Sequence, residues 1–377
     1  MLRGRSRDAR RTHDVAVYAP EAACYYESKR DYMGGAEMQA TMLAHALKAK
    51  GLSVAHVVHP IKGPAQVDAS TPTLVERPAW QTHRRLGQLA EGRAVWQGLA
   101  RSDAKAYVVR GSGGYVIPAG AFCRARNRRF VFSSSSELDF DFTRTDRNPR
   151  LLQLYRKTLG LAARMVLQTE RQRELALSEF PDSDPVVIPS FAEQVAPAKR
   201  QGEYFLWADR LVDYKLPDRY VELAEALPEA RFLMIGSTVD ETPPELPERM
   251  QAAAERVPNL ELLPPRPRSE LLEDMRGAVA LVKTSRVEGM PNGFLEAWAC
   301  GLPVLSLSVD PDSKIADNDI GVVAGGSMER LIEAADGLWR DPELRNAVGD
   351  RARRYVQDVH SPEAVAERWV ALLQELT

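Results

Sequence analysis

Two carboxylates, Glu288 and Glu296, bracket a turn in which an apolar run, Ala278 to Lys283, meets Gly289 and Pro291. Phe294, Leu295, Trp298 and Ala299 then recur at helical spacing until Gly301 stops the helix, and a second apolar run, Pro303 to Val309, completes a strand-helix-strand unit. Open α/β sheets bind ligands outside the carboxyl ends of their strands, where a helix start offers unpaired N–H groups and a partial positive charge to an anion. A phosphate-bearing ligand therefore suits this turn. Glu288 precedes the helix and Glu296 lies about one turn inside it, so the two can grip different ends of one elongated ligand rather than share a proton. A carboxylate behind a parallel strand can accept hydrogen bonds from ribose hydroxyls, while Glu288, at the mouth, would face the reacting end.

Two cations strengthen the case for a phosphate. Arg210 and Lys215 directly follow the apolar run Tyr204 to Ala208 and could neutralise a diphosphate, Arg through a bidentate fork and Lys as a point charge. Alone they would read as solvated loop cations; beside an acidic turn in the same sheet they read as ligand contacts. Earlier in the chain, Gly34-Gly35-Ala36-Glu37 opens the clearest helix, which carries Met38, Met42, Leu43, Ala46 and Leu47 on one face and Gly51 after its last turn. Paired glycines let the backbone approach a ligand and cradle an oxyanion, or form an ordinary loop.

Strand-length apolar runs alternate with helical patterns on both sides of a compositional break. In the first half they are Asp14 to Ala19, Ser53 to His59, Ala106 to Arg110, Phe130 to Ser134, Met165 to Thr169 and Val186 to Ile188. Ala, Pro, Lys, Arg, Gln and Gly without apolar period mark a linker at 192–202. The second alternation has strands near Tyr204 to Ala208, Arg231 to Ile235, Leu260 to Leu263, Ala278 to Lys283, Pro303 to Ser308 and Gly321 to Ala324. Such alternation predicts an α/β chain of two Rossmann-like, doubly wound domains, 13–191 and 203–360, with the site in the cleft between them. Residues 361–377 form a last helix whose Val365, Trp369, Leu372 and Leu373 would pack back on the first domain.

Composition bounds the setting. At 377 residues, with 44% hydrophobic and 27% charged residues, the chain is long enough for two globular cores. There is no apolar run long enough to span a bilayer and no apolar signal core after the Arg-rich residues 1–12, which are expected to be disordered. Cys24, Cys123 and Cys300 are widely spaced without a C-x-x-C pair, which points to a reduced, cytoplasmic setting and away from disulfides or structural zinc. The net charge of −2 hides a basic first half, with 29 Lys+Arg against 20 Asp+Glu in residues 1–195. That excess reads as a solvated face and tail, or as a peripheral contact with an anionic surface such as the inner face of a membrane. No Walker or RNA-binding signature supports nucleic acid.

These segments together resemble the retaining nucleotide-sugar glycosyltransferases of the GT-B fold, glycosyltransferase family 4. The resemblance covers most of the chain and rests on Gly34 to Glu37, on Arg210 with Lys215, and above all on Glu288 to Glu296 followed by Ala297-Trp-Ala-Cys-Gly-Leu-Pro-Val304. It implies that Arg210 and Lys215 hold the diphosphate of a UDP- or GDP-sugar, that Glu296 holds the ribose, and that Glu288 contacts the sugar beside the backbone N–H groups of Gly293, Phe294 and Leu295. Gly34 and Gly35 would approach the donor from the first domain. Catalysis would be mainly electrostatic, with Arg210, Lys215 and the helix start stabilising the departing diphosphate and Glu288 acting at the sugar. The implied activity is metal-independent, cofactor-free transfer of a hexosyl group, with retention, to a glycan, lipid-linked saccharide or small-molecule acceptor.

Three departures from the family pattern stand out: Asp209 and Leu216 where glycines are frequent, no histidine near Ser133 to Ser136, and Pro189-Ser190-Phe191 where Pro-Asn-Gly is usual. Metal-dependent transferases use D-x-D, a pattern that occurs here four times, at Asp139, Asp182, Asp310 and Asp317, and so discriminates little. The alternatives are a nucleotide-sugar epimerase on the same fold and a non-catalytic nucleotide-sugar binder.

Overall fold

A computed structural model describes residues 13–27, 34–78, 87–111, 113–143, 148–197 and 202–376. The Arg-rich tail at 1–12 lies outside the described residues, as do 198–201 of the linker region. Contacts divide the chain into two units, one running to Ile188 and taking back the segment from Val365, the other Pro189–Ala364.

The first unit contains a seven-stranded sheet: β1 (His13–Tyr18), β2 (Val54–Val58), β3 (Thr73–Glu76), β4 (Ala104–Arg110), β5 (Arg129–Ser133), β6 (Arg164–Leu167) and β7 (Val186–Val187). Their order is β3-β2-β1-β4-β5-β6-β7, every pairing parallel. Central strands such as Val54–Val58 are buried at every position, as a parallel sheet covered on both faces requires. Six of these strands are legible as apolar runs. Edge strand β3 is not, because Thr-Leu-Val-Glu is short and half exposed and lacks a run long enough to stand out.

The helix Pro362–Leu376 closes this unit, burying Val365, Ala366, Trp369, Leu372, Leu373 and Leu376. Lys50 Nζ meets Glu367 Oε1 at 2.8 Å, and Arg129 Nε donates to the Leu376 carbonyl at 2.9 Å. Part of the basic cluster around 124–129 is thereby used within the fold, since Arg128 also pairs with Asp103 at 2.6 Å. Arg124 and Arg126 remain exposed.

The second unit has β8 (Tyr204–Arg210), β9 (Phe232–Ser237), β10 (Leu260–Leu263), β11 (Ala278–Lys283), β12 (Val304–Ser306) and β13 (Gly321–Val323) in the order β10-β9-β8-β11-β12-β13, again all parallel. Phe205, Trp207, Tyr220 and Phe232 pack on one face of this sheet, and Leu206, Leu281, Phe294 and Trp298 on the other. The strand order reverses between neighbours β8 and β11, which places the switch point of the sheet between the two runs that carry the candidate residues.

Two local features fix the far end of the Asn292–Cys300 helix and the approach to the linker. Gly301, at φ +75, ends the Asn292–Cys300 helix in the left-handed region. A Cβ on Gly349 would lie 2.0 Å from the Gly301 carbonyl oxygen, so the helix Pro342–Val359 crosses this close only because Gly349 lacks a side chain. On the other side of the linker, Ser190 takes a hydrogen bond from His360 Nδ1 at 2.7 Å on its carbonyl, and Phe191 is buried.

Candidate functional site

At the carboxyl end of β8 the chain passes Asp209 and Arg210, forms a 3-10 turn at Asp213–Lys215, and enters the helix Pro217–Ala226 through Leu216. Leu216 sits at φ +50, ψ +55, the left-handed region that costs a residue with a Cβ about 1–2 kcal/mol and that glycine would occupy freely. Its side chain packs against the core beneath, which offsets that cost. The turn is held to the neighbouring loop by main-chain and buried polar bonds. Thr284 Oγ1 donates to the Lys215 carbonyl at 2.6 Å and accepts from Trp207 Nε1 at 3.0 Å, and the Arg286 amide donates to the Tyr214 carbonyl at 2.9 Å. These bonds bring the loop after β11, with Glu288, onto the turn after β8, with Lys215.

Four charged side chains converge there. Lys215 Nζ lies 3.0 Å from Asp209 Oδ2 and donates to Glu288 Oε1. Lys283, the last residue of β11, donates to the same Asp209 oxygen and stands 4.0 Å from Glu288 Oε1. Side-chain exposure is 6% for Lys215, 7% for Lys283, 9% for Asp209 and 14% for Glu288, so water screens these charges little. Asp209 Oδ1 also accepts the Arg210 amide at 2.8 Å. Burial alone would push the Asp209 carboxyl up, but the ammonium groups of Lys283 and Lys215 outweigh it and hold the group below its ordinary value. Burial would likewise depress Lys283; the carboxylates of Asp209 and Glu288 reverse that and hold it above the ordinary lysine value.

These shifts predict a stability window. Asp209, depressed on folding, contributes stability that is present above its unfolded value of 3.8 and is lost as pH falls through the lower folded value. Lys283, raised on folding, contributes below its unfolded value of 10.5 and loses that contribution as pH rises through the higher folded value. Urea denaturation of the parent and of Asp209→Asn at a series of pH values should show a constant gap in midpoint across the neutral range, narrowing below pH 3.8. A gap independent of pH down to the acid limb would show that Asp209 is not ionised in the fold.

The helix Asn292–Cys300 begins beside this cluster, with Gly293 of its first turn against Lys283. Pro291 caps it without a side-chain hydrogen bond, and the Phe294 amide donates to the Pro291 carbonyl at 3.1 Å. Phe294 and Leu295 bury their side chains completely or nearly so, and neither presents a side chain at the helix start. A Cβ on Gly293 would be 3.9 Å from Lys283 Nζ, so that ammonium group lies against the positive end of the helix. One turn on, Glu296 takes a hydrogen bond from Arg268 Nη1, and Arg268 Nη2 reaches Glu193 at 2.8 Å.

Within the second unit, then, the fold joins Lys215 to Glu288 and sets Gly293 beside Lys283. Arg210 is exposed and directs Nη2 to Tyr214 Oη at 2.6 Å, and Glu296 sits in a separate pair with Arg268. Gly34 and Gly35 lie in the first unit. Gly34, exposed, caps the helix Gly35–Ala49, and a Cβ there would stand 2.2 Å from Glu37 Oε2, so the glutamate folds back over its own helix start. Sequence reasoning missed Asp209, Lys283 and Arg268 as members of the site. Lys283 carried a usable signal, since a lysine closing an otherwise apolar parallel strand has to find a buried counter-charge.

Comparisons with known proteins bear on this unit. Residues 191–355 match the family model described as Glycosyl transferases group 1. The chain is 26% identical over 161 residues to Glycosyltransferase 1 domain-containing protein 1 of Xenopus tropicalis, a stretch of 43% of this chain and 46% of that one. It thus spans less than half the length of such curated relatives. Among solved structures, a sucrose-phosphate synthase from Thermosynechococcus elongatus superposes with a TM-score of 0.75 at 16% identity, covering 96% of this chain and 98% of that chain. Anabaena Alr3699/HepE in complex with UDP and glucose does so with a TM-score of 0.75 at 12% identity, covering 96% and 99%. These likenesses show the fold, two parallel-sheet α/β domains of the GT-B class.

Proposed function

We propose that this chain, which carries a glycosyl transferases group 1 domain across residues 191–355, moves a hexosyl group from a nucleoside diphosphate donor to a saccharide, lipid-linked or small-molecule acceptor with retention of configuration. The observation that carries this reading is the buried cluster of Lys215, Lys283, Asp209 and Glu288 at the switch point of the second sheet, with the start of the Asn292–Cys300 helix beside Lys283. Cations and a helix start at such a point suit a diphosphate. HepE, of the same fold, is described in complex with UDP and glucose, which favours a nucleotide sugar as the ligand class.

In this reading the reaction is driven by charge stabilisation. As the bond from the anomeric carbon to the diphosphate breaks, negative charge grows on the leaving phosphate, and Lys215, Arg210 and the start of the Asn292–Cys300 helix stabilise it more in the transition state than in the ground state. Glu288 contacts the sugar and Glu296 the ribose. The acceptor hydroxyl attacks from the face the diphosphate leaves and gives up its proton to that leaving group. The basic first half would bring the protein to an anionic, cytoplasmic membrane face when the acceptor is lipid-linked.

Incubation with UDP- and GDP-sugars and candidate acceptors, in the presence of EDTA, tests the whole reading. Release of nucleoside diphosphate with an α-linked product from an α-linked donor, read by NMR, is the expected result. An isomerised sugar nucleotide as main product, an inverted linkage, or transfer abolished by EDTA would each contradict it.

A further inference from the structure

The cluster at the switch point has a charge balance that a diphosphate site does not need. Lys215 and Lys283 supply two positive charges, and Asp209 and Glu288 cancel both. Asp209 is the more unusual of the two anions. One of its oxygens, Oδ2, receives both ammonium groups, an arrangement that a phosphate oxygen would adopt between the same two lysines. Its other oxygen is occupied by the Arg210 amide, so the carboxylate is fixed at the strand end with its charge directed at the lysines.

The position of Lys283 adds an independent observation. Its ammonium group lies close to Gly293 in the first turn of the Asn292–Cys300 helix, where the helix dipole disfavours a cation. A cation is stable there only with an anion beside it, and Asp209 is that anion. The lysines and the helix start thus form a basin of positive potential that already contains a carboxylate.

We propose that Asp209 is an internal surrogate for the donor phosphate: its carboxylate holds Lys215 and Lys283 at the helix start, and an incoming diphosphate must compete with it for both lysines. The inference rests on the donor reading above and deepens it, because it names Asp209 as a residue that sets donor affinity and Lys283 as a further cation for the diphosphate. When the diphosphate takes the lysines, Asp209 loses its partners in a site with little water, so binding is weaker than the two lysines and the helix start would otherwise allow. Removing the charge while keeping the shape lifts that competition.

Isothermal titration of the full chain with UDP, GDP and inorganic pyrophosphate, with uridine and guanosine as controls, tests this in the parent and in Asp209→Asn. The expected result is at least tenfold tighter binding of pyrophosphate and of whichever nucleoside diphosphate the parent binds, with nucleoside affinity changed less than twofold. Asp209→Ser, which removes the same charge with less bulk, carries the same expectation and stands in if the asparagine variant does not stay folded. Unchanged or weaker diphosphate binding in a folded Asp209 variant, while Lys215→Met weakens it, would overturn the proposal and leave the donor reading standing. In that case Asp209 would be a residue that positions the lysines. Failure of parent and variant alike to bind UDP, GDP or pyrophosphate would overturn both.

Discussion

Lys215→Met is expected to lower kcat/KM for sugar transfer by about 10²–10³-fold, the range found when a single preorganised donor to a developing oxyanion is removed. Methionine keeps the unbranched stem and its packing and deletes only the ammonium group. The loss should appear mainly in kcat, because charge on the leaving diphosphate is greatest after the bond has begun to break. Stability should fall as well. Lys215 is bonded to both Asp209 and Glu288, and deleting one member of a buried ion pair costs about 3–5 kcal/mol, since the partners remain buried. Lys283 limits that cost, being paired with Asp209 and within 4.0 Å of Glu288. Steady-state kinetics at a temperature where circular dichroism shows the variant folded separates the two effects. A variant that is destabilised yet transfers at the parental rate would place Lys215 in the scaffold and not in the chemistry.

Glu288→Ala and Glu296→Ala are expected to diverge, and the size of the divergence tests the roles given to them. Glu288 meets Lys215 beside the start of the Asn292–Cys300 helix, so its loss should cut kcat by about 10²-fold while KM for the donor moves little. Glu296 lies a turn further on, held by Arg268, which is itself held by Glu193. Its loss should raise donor KM by about 10-fold or more, as expected for a hydrogen bond to a charged group worth about 1.5–3 kcal/mol, with kcat nearly unchanged. The opposite split, with Glu296 slowing transfer and Glu288 weakening binding, would reverse the assignment.

The alternation of apolar runs and helical periods makes the two parallel sheets legible, because strands covered on both faces must be apolar at successive positions. Val54–Val58 and Ala278–Lys283 announce themselves in this way. Thr73–Glu76 does not, since an edge strand needs no such run. At the site, Glu288, Glu296 and Lys215 become legible as candidates only when the strands, the turn and the helix start around them are read together. Asp209 and Lys283 are harder because their meaning lies in each other. They are 74 residues apart, and only the pairing of β8 with β11 brings an aspartate that reads as a departure in a loop against a lysine that reads as the end of a strand. Arg268 is hidden for the same reason, opening a helix where it resembles any solvated cation until Glu296 and Glu193 close around it. Leu216 shows the converse: the backbone there demands the left-handed region although the residue gives no sign of it.

The central claim is that the switch point of the second sheet binds the donor diphosphate through Lys215. The most direct measurement is a thermal-shift titration of the parent and Lys215→Met with UDP and GDP. A ligand bound only by the native state adds about 2.7 kcal/mol at a hundred times its Kd, enough to raise the melting temperature by several degrees. The account predicts that one of the two nucleotides, which carry the charge the leaving group develops, raises the Tm of the parent and that the same concentration raises that of Lys215→Met by distinctly less. No shift of the parent with either nucleotide, or an equal shift in the variant, would contradict it.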